Sequence, residues 1–227
     1  MVSLMKYKYL LFDLDGTLSE SADGIRASLE YALQTLGVPV PDLSDYPVYI
    51  GPPLIDTLRG LCGLDPETAE RGAQLYRRYY EEKGKLLNRA YEGIPALLQK
   101  LRKEGAKLCV CTSKYEPFAV EIVEILGLNG VFDAVCGSNI DGSRKDKKDM
   151  IPYAVSCLGG DLARDREHIV MIGDTWFDAQ GARLCGVDFL GVRYGYGGEK
   201  TMAAQGARQF ADTPEDVYRL LTAACRA

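Results

Sequence analysis

The sequence predicts an α/β fold, a doubly wound parallel sheet core with an all-helical cap inserted into it. Three observations carry that prediction. From Gly105 onward, short apolar runs alternate with helical patterns, the order that builds a parallel sheet. The first such run, residues 8–12, is apolar after its first position and lacks polar alternation, as a strand covered on both faces requires. Between this run and the next strand, residues 19–90 carry helical periodicity only. The expected organisation is therefore a core of residues 1–18 and 91–227, with residues 19–90 as the cap.

Met1 to Lys6 reads as a short extension before the first strand. The strand ends on Asp13-Leu14-Asp15-Gly16-Thr17, where two carboxylates sit two positions apart. Like charges this close repel and are expensive to desolvate, and a bound cation is the simplest reason to keep them; the bland alternative is an acidic turn. Gly16 allows a sharp turn, and Thr17 and Ser19 offer hydroxyls at a helix start. In residues 20–37, Ile25, Leu29, Ala32, Leu33 and Leu36 recur at helical spacing until Gly37 and Pro39 stop the helix. Residues 38–53 read as loop, ending in Tyr49-Ile50-Gly51-Pro52-Pro53-Leu54. A short helix runs to about Cys62, and Asp65-Pro66 opens another that runs to about Lys83.

In the core, a helix over 94–104 leads to a strand over 107–111 and the polar triplet Thr112-Ser113-Lys114. A helix over 116–126, a strand over 132–136 and a polar loop to Asp146 follow. The next helix spans 147–158. Pro152 is tolerable only in its first turn, which places the start near residues 147–151. A strand over 168–172 runs into Gly173-Asp174-Thr175-Trp176-Phe177-Asp178. A helix over 179–185, a strand over 187–192, a glycine-rich loop and a helix from Pro214 complete the chain. Residues 17–23 and 88–93 read as the two links between core and cap.

Composition narrows the function. Hydrophobic residues make up 47% of the chain, enough for a sizeable core, and the net charge of −5 argues against a nucleic-acid polymer or an anionic membrane as the main partner. No apolar run reaches the roughly 20 residues of a membrane span and no signal peptide is visible, so a cytoplasmic location is expected. The seven cysteines, Cys225 among them, read as small core residues rather than disulfides or metal ligands, since His168 is the only histidine and no paired Cys clusters occur. Nothing in the sequence indicates oligomeric state.

Open α/β sheets bind ligands beyond the carboxyl ends of their strands. Asp13, Thr112 with Ser113, and Asp174 all fall at such ends, and Lys147 starts a helix on the same side. Asp13, Asp15 and Asp174, with Asp178 one turn beyond, form an all-oxygen environment that favours Mg²⁺. Singly, each has an ordinary reading: Asp174 or Thr112 as a helix cap or turn, Lys147 as an exposed lysine. Their convergence on one edge separates the functional reading from four unrelated turns.

These residues resemble the haloacid dehalogenase-like hydrolases. The match runs in order through Asp13-Leu14-Asp15-Gly16-Thr17, Thr112-Ser113, Lys147 and the Gly173–Asp178 run. The helical insertion is similar to the small cap of that family. Gly51-Pro52-Pro53-Leu54, Asp141-Gly142-Ser143-Arg144 and Gly191-Val192-Arg193-Tyr194-Gly195-Tyr196-Gly197 resemble its phosphoglycolate phosphatase and 5′-nucleotidase-like branch. For the catalytic lysine the alignment selects Lys147, with Lys148 as the alternative.

The resemblance implies a Mg²⁺-dependent phosphatase acting on a small phosphorylated metabolite. In it, Asp13 forms an aspartyl-phosphate, and Asp15, its pKa raised by Asp13 alongside, serves as acid and then base. Asp13, Asp174 and the Asp15 carbonyl hold the metal, and Thr112, Ser113 and Lys147 hold the phosphoryl oxygens. Asp178 supports the metal shell or orients Lys147. Tyr49, Gly51, Pro52, Pro53 and Arg59 are the candidates for reading the rest of the substrate. A sugar phosphomutase of the β-phosphoglucomutase type and a non-catalytic phospho-ligand-binding protein remain as alternatives.

Overall fold

Strand β1 (Tyr9–Phe12) is buried at every position, so it can stand only in the middle of a covered sheet. The structure, a computed structural model, describes residues 5–141 and 143–223; Gly142, Cys225 and the first four residues of the expected extension lie outside them. After β1, the short β2 (Ser19–Glu20) leads to α1 (Ala22–Leu36), α2 (Leu54–Gly60) and α3 (Pro66–Glu82), and β3 (Arg89–Ala90) brings the chain back. Then α4 (Ile94–Lys103), β4 (Lys107–Tyr115), α5 (Glu116–Ile125), β5 (Ala134–Ser138), α6 (Lys147–Cys157) and α7 (Leu162–Asp165) follow in order. They are succeeded by β6 (Ile169–Gly173), α8 (Trp176–Cys185), β7 (Asp188–Val192), α9 (Glu199–Ala204), β8 (Phe210–Ala211) and α10 (Pro214–Ala223). No helix among the described residues is long and apolar enough to cross a membrane.

The main sheet has the order β5-β4-β1-β6-β7-β8, and every pairing in it is parallel. Period-two alternation sorts the strand side chains between two helical layers. Leu10 and Phe12 face the cluster that includes Leu97 and Leu101 of α4, Ile122 of α5 and Val217 of α10. Tyr9 and Leu11 face the one that includes Ile151 and Val155 of α6 and Ala182 of α8. The doubly wound core with its helical insertion is thus as expected. The apolar side chains of the insertion, among them Leu29, Leu33, Leu58 and Tyr80, join the first of these clusters.

Four local features depart from the sequence reading. The links into and out of the insertion pair as an antiparallel ribbon, Ser19 with Ala90 and Glu20 with Arg89. Strand β4 runs on through the polar triplet to Tyr115, with a register shift against β5 between Cys111 and Tyr115. Pro152 is the sixth residue of α6, past the first turn. Its missing N–H frees the carbonyl of Lys148, which accepts the Cys185 thiol at 3.4 Å instead, so the helix tolerates the proline deeper than expected. Finally, Cys109, Cys111 and Cys136 are buried as expected, but Cys157 is exposed and Cys62 and Cys185 are only half-buried, so not every cysteine is a core residue.

Candidate active site

Asp13 directly follows β1, and its N–H still donates to the Ile172 carbonyl of β6 at 2.9 Å, so the backbone holds it in line with the sheet. Lys147 opens α6. Its ammonium lies 2.7 Å from Asp13 Oδ1 and 2.6 Å from Asp178 Oδ1, and it donates to the Cys111 carbonyl at 2.6 Å. Burial opposes the charged form of this lysine, but Asp13 and Asp178 outweigh it and hold the ammonium above the usual lysine range. Lys148 is exposed, so of the two lysines only Lys147 reaches the carboxylates. The helix comes this close because α8 offers no side chain at Gly181, where a Cβ would stand 2.2 Å from Lys147 Cβ.

Asp174 follows β6 and is fully buried. Its Oδ1 accepts the Thr17 hydroxyl at 3.1 Å, and its Oδ2 accepts the N–H groups of Tyr196 at 2.8 Å and Gly197 at 3.3 Å. The turn after Asp15 passes so near that a Cβ on Gly16, whose φ is +80°, would meet Asp174 Oδ2 at 2.2 Å, so backbone and space both demand glycine. The N-cap of α8 is Thr175 rather than Asp174: the Asp178 carboxylate accepts both the N–H and the hydroxyl of Thr175, closing a capping box. The ordinary reading of Asp174 as a cap therefore falls away. Asp178 caps its helix with one oxygen and pairs Lys147 with the other.

Carboxylate oxygens of Asp13, Asp174 and Asp178 lie within 4.8 Å of one another. Burial pushes the Asp13 carboxyl up to about 7 despite the pull of Lys147. Burial, then Asp178 and Asp13, lift Asp174 well above the carboxylate range. Three buried acids face one ammonium, an excess of negative charge on hard oxygen donors that suits a divalent cation. The Asp15 carboxylate stands apart from this triplet, with Oδ2 3.0 Å from the ammonium of Lys114.

A cavity of about 530 Å³ opens over Asp13 and Asp15. In a regular strand, Thr112, Ser113 and Lys114 would point to alternate faces. The register shift in β4 breaks that alternation, and all three line the cavity. The Ser113 hydroxyl is buried without a hydrogen-bond partner. Across the cavity stand Tyr49, Gly51, Pro52 and Pro53, with Tyr76, Arg77 and Tyr80 of α3. Tyr49 is anchored by its hydroxyl to the Leu43 carbonyl at 3.0 Å, and a Cβ at Gly51 would stand 2.9 Å from the Thr175 methyl. Arg59 is exposed on α2 and takes no part in the cavity wall.

Sequence reasoning therefore missed Lys114, Tyr80 and Tyr196. Lys114 was visible as the third residue of the polar triplet, but its direction depends on the bulge. For Tyr80, one tyrosine among several on an amphipathic helix, no sequence signal existed.

An aspartate after the central strand, hydroxyls in the last part of one neighbouring strand and an acid after the other, under a helical insertion, define a class of capped α/β proteins with an acidic strand-edge site. Within that class the chain belongs to the haloacid dehalogenase-like hydrolases, whose family model matches residues 10–192. It is 39% identical over 200 residues to a 5′-nucleotidase of Pseudomonas aeruginosa, covering 88% of this chain and 89% of that one. It is 40% identical over 188 residues to the tyrosine-protein kinase PtkA of Mycobacterium tuberculosis, covering 83% of this chain but only 62% of the kinase. A phosphoglycolate phosphatase of Aquifex aeolicus is 30% identical over 189 residues, 83% of this chain and 86% of that one. A crystal structure of a predicted phosphatase from Clostridium acetobutylicum superposes with a TM-score of 0.88 at 37% identity, over 94% of this chain and 97% of that one.

Proposed function

We propose that the protein is a Mg²⁺-dependent phosphatase that hydrolyses a small phosphate monoester through an aspartyl-phosphate. The observation that carries this reading is the buried Asp13 carboxylate, held by Lys147 at 2.7 Å and bordering a cavity large enough for a metabolite. An oxygen of Asp13 attacks phosphorus, the ester P–O bond breaks, and Asp15 gives its proton to the departing oxygen. Asp15 then takes a proton from the water that attacks phosphorus, which releases phosphate and returns Asp13. The Thr112 hydroxyl, Ser113 and Lys147 hold the phosphoryl oxygens during both displacements. Asp13, Asp174 and the main-chain carbonyl of Asp15 are the residues to hold Mg²⁺, with Asp178 beside them. The ion supplies positive charge that offsets the repulsion between the Asp13 carboxylate and the phosphate.

In this reading residues 1–18 and 91–227 carry the chemistry. Residues 19–90 read the alcohol part of the ester, through Tyr49 and the Gly51, Pro52 and Pro53 loop. The names of the relatives support phosphoglycolate-like or nucleoside-monophosphate-like esters as substrates, and the composition supports a cytoplasmic location. Kinship with PtkA favours one second reading, phosphoryl transfer to an acceptor other than water. Phosphate release across a panel of phosphorylated metabolites tests both. Asp13→Asn, which keeps the side-chain size but cannot form the acyl phosphate, is expected to lower release by about 10³-fold or more in Mg²⁺. Retention of a substantial fraction of the rate removes Asp13 from the nucleophile role, and transfer without release favours the second reading.

A further inference from the structure

Lys114 stands between the two parts of the molecule. Its side chain is 8% exposed, and its ammonium lies 3.0 Å from Asp15 Oδ2 on the core. It also donates to the Tyr80 hydroxyl of α3 at 2.8 Å and sits 4.3 Å from the centre of that ring. The same hydroxyl accepts from Asn88 Nδ2 at 3.0 Å, and Asn88 Oδ1 accepts from Ser19 Oγ at 3.3 Å. Ser19 belongs to β2 and Asn88 adjoins β3, so the series runs from Asp15 through the inserted helices to the ribbon that joins them to the core. Tyr80, Asn88 and Ser19 are all buried.

An aspartate carboxylate rotates in a broad, nearly two-fold well, so nothing in its own chemistry fixes which oxygen faces a reactant. A charge-assisted hydrogen bond to one oxygen does fix it. Here Lys114 takes Oδ2, and Oδ1 is buried with no hydrogen-bond partner to turn the group the other way. Lysine is a flexible point charge and holds such a position only when other groups restrain it. Tyr80, on the inserted helices, supplies that restraint with both its ring and its hydroxyl.

We propose that Lys114 is a positioning residue for Asp15, and that Tyr80 makes this positioning depend on the inserted helices being seated over the core. The inference rests on the reading of Asp15 as the proton donor to the leaving oxygen. A group that only orients the proton donor matters in proportion to the need for a proton. An alkyl phosphate needs it, whereas p-nitrophenyl phosphate, with a stable phenolate leaving group, needs it little.

The test compares kcat and KM for glycerol 2-phosphate and p-nitrophenyl phosphate in the full-length protein with Mg²⁺. Lys114→Met is expected to lower kcat on the alkyl ester by about 10²-fold, with a much smaller loss on the aryl ester and KM little changed on either. Tyr80→Phe, which removes one oxygen, is expected to give the same pattern with a smaller loss. Asp15→Asn with Lys114→Met is expected to be no slower than Asp15→Asn alone, because there is then no donor left to position. Equal losses on both esters, a change confined to KM, or losses that multiply in the double variant overturn the inference; the second outcome makes Lys114 a substrate anchor instead. Asp15→Asn separates the two layers of the argument. If it too fails to distinguish the esters, the proton-donor reading has failed, whereas if it distinguishes them and Lys114→Met does not, only the positioning inference has. Should Lys114→Met not fold, Tyr80→Phe decides the matter by the same comparison.

Discussion

The two walls of the cavity are built on different principles. On the core side, the acids are held largely by main chain and sheet. Asp13 follows a strand paired on both sides, and Asp174 is gripped by the N–H groups of Tyr196 and Gly197. On the opposite side the wall consists of side chains on helices and a loop, Tyr49, Pro52, Pro53, Tyr76 and Tyr80, placed by packing and, at Tyr49 and Tyr80, by hydrogen bonds at the hydroxyl. Backbone-held groups keep their geometry when neighbouring side chains change, and packed side chains do not. The core wall is thus suited to chemistry common to many esters, and the helical wall to features that vary from one ester to the next.

The largest expected effect breaks the core wall. Lys147→Met removes the one ammonium shared by Asp13 and Asp178 and leaves buried acids uncompensated. Metal-free protein should lose about 3–5 kcal/mol, read as a lowered urea midpoint in EDTA, with part of the loss recovered in Mg²⁺. An unchanged midpoint would show that the acids do not depend on this lysine.

A second effect follows from the raised carboxyls of Asp13 and Asp174. Where a folded-state pKa lies above the unfolded one, the folded protein binds more protons in the interval between them, and stability falls as pH rises through it. For Asp13 that interval ends at about 7. Metal-free protein should therefore lose stability through these acids from about pH 4 to about pH 7, and a cation that displaces the protons should stabilise more at the upper end. Thermal melts in EDTA and in Mg²⁺ should show a metal-induced rise in Tm that grows between about pH 5 and about pH 8. A constant increment contradicts the charge excess.

The smallest effects sharpen the comparison on the helical wall. Pro53→Gly loosens a loop that lines the cavity. It is expected to cost only about 0.4–1 kcal/mol, yet to alter the relative rates for nucleotide, sugar and glycolate phosphates while leaving p-nitrophenyl phosphate nearly untouched. Arg59→Ala, on an exposed position away from the cavity, should change stability by no more than about 0.5 kcal/mol and leave relative rates as they were. Matching rate changes in the two variants would remove the distinction between loop and surface.

The two walls also differ in how far they could be read in advance. Asp13, Asp174 and Lys147 were legible because strand ends and helix starts are local events, and a parallel sheet carries all such ends to one edge. Asp178 was read as either supporting the metal shell or orienting Lys147; it pairs Lys147, and the capping box that it closes was not foreseen. The direction of Lys114 escaped because it depends on a register shift against β5, and register is a property of two strands rather than of one stretch. The ribbon of Ser19–Glu20 with Arg89–Ala90 escaped for a similar reason: two-residue strands leave no periodicity to detect. Tyr80 and Arg59 lie on amphipathic helices, where sequence gives the buried face but not which neighbour covers it.

The close approach at Gly181 has a consequence for how variants of this protein should be read. That position bears no functional group and lies outside the cavity wall, three residues beyond Asp178 on the same helix. Yet any side chain there must displace the root of Lys147, and with it the ammonium that Asp13 and Asp178 share. Among natural or engineered sequences, tolerance at residue 181 should therefore track tolerance at Lys147 itself. It is a site defined by the absence of an atom, and a survey that scores only chemical groups will pass over it.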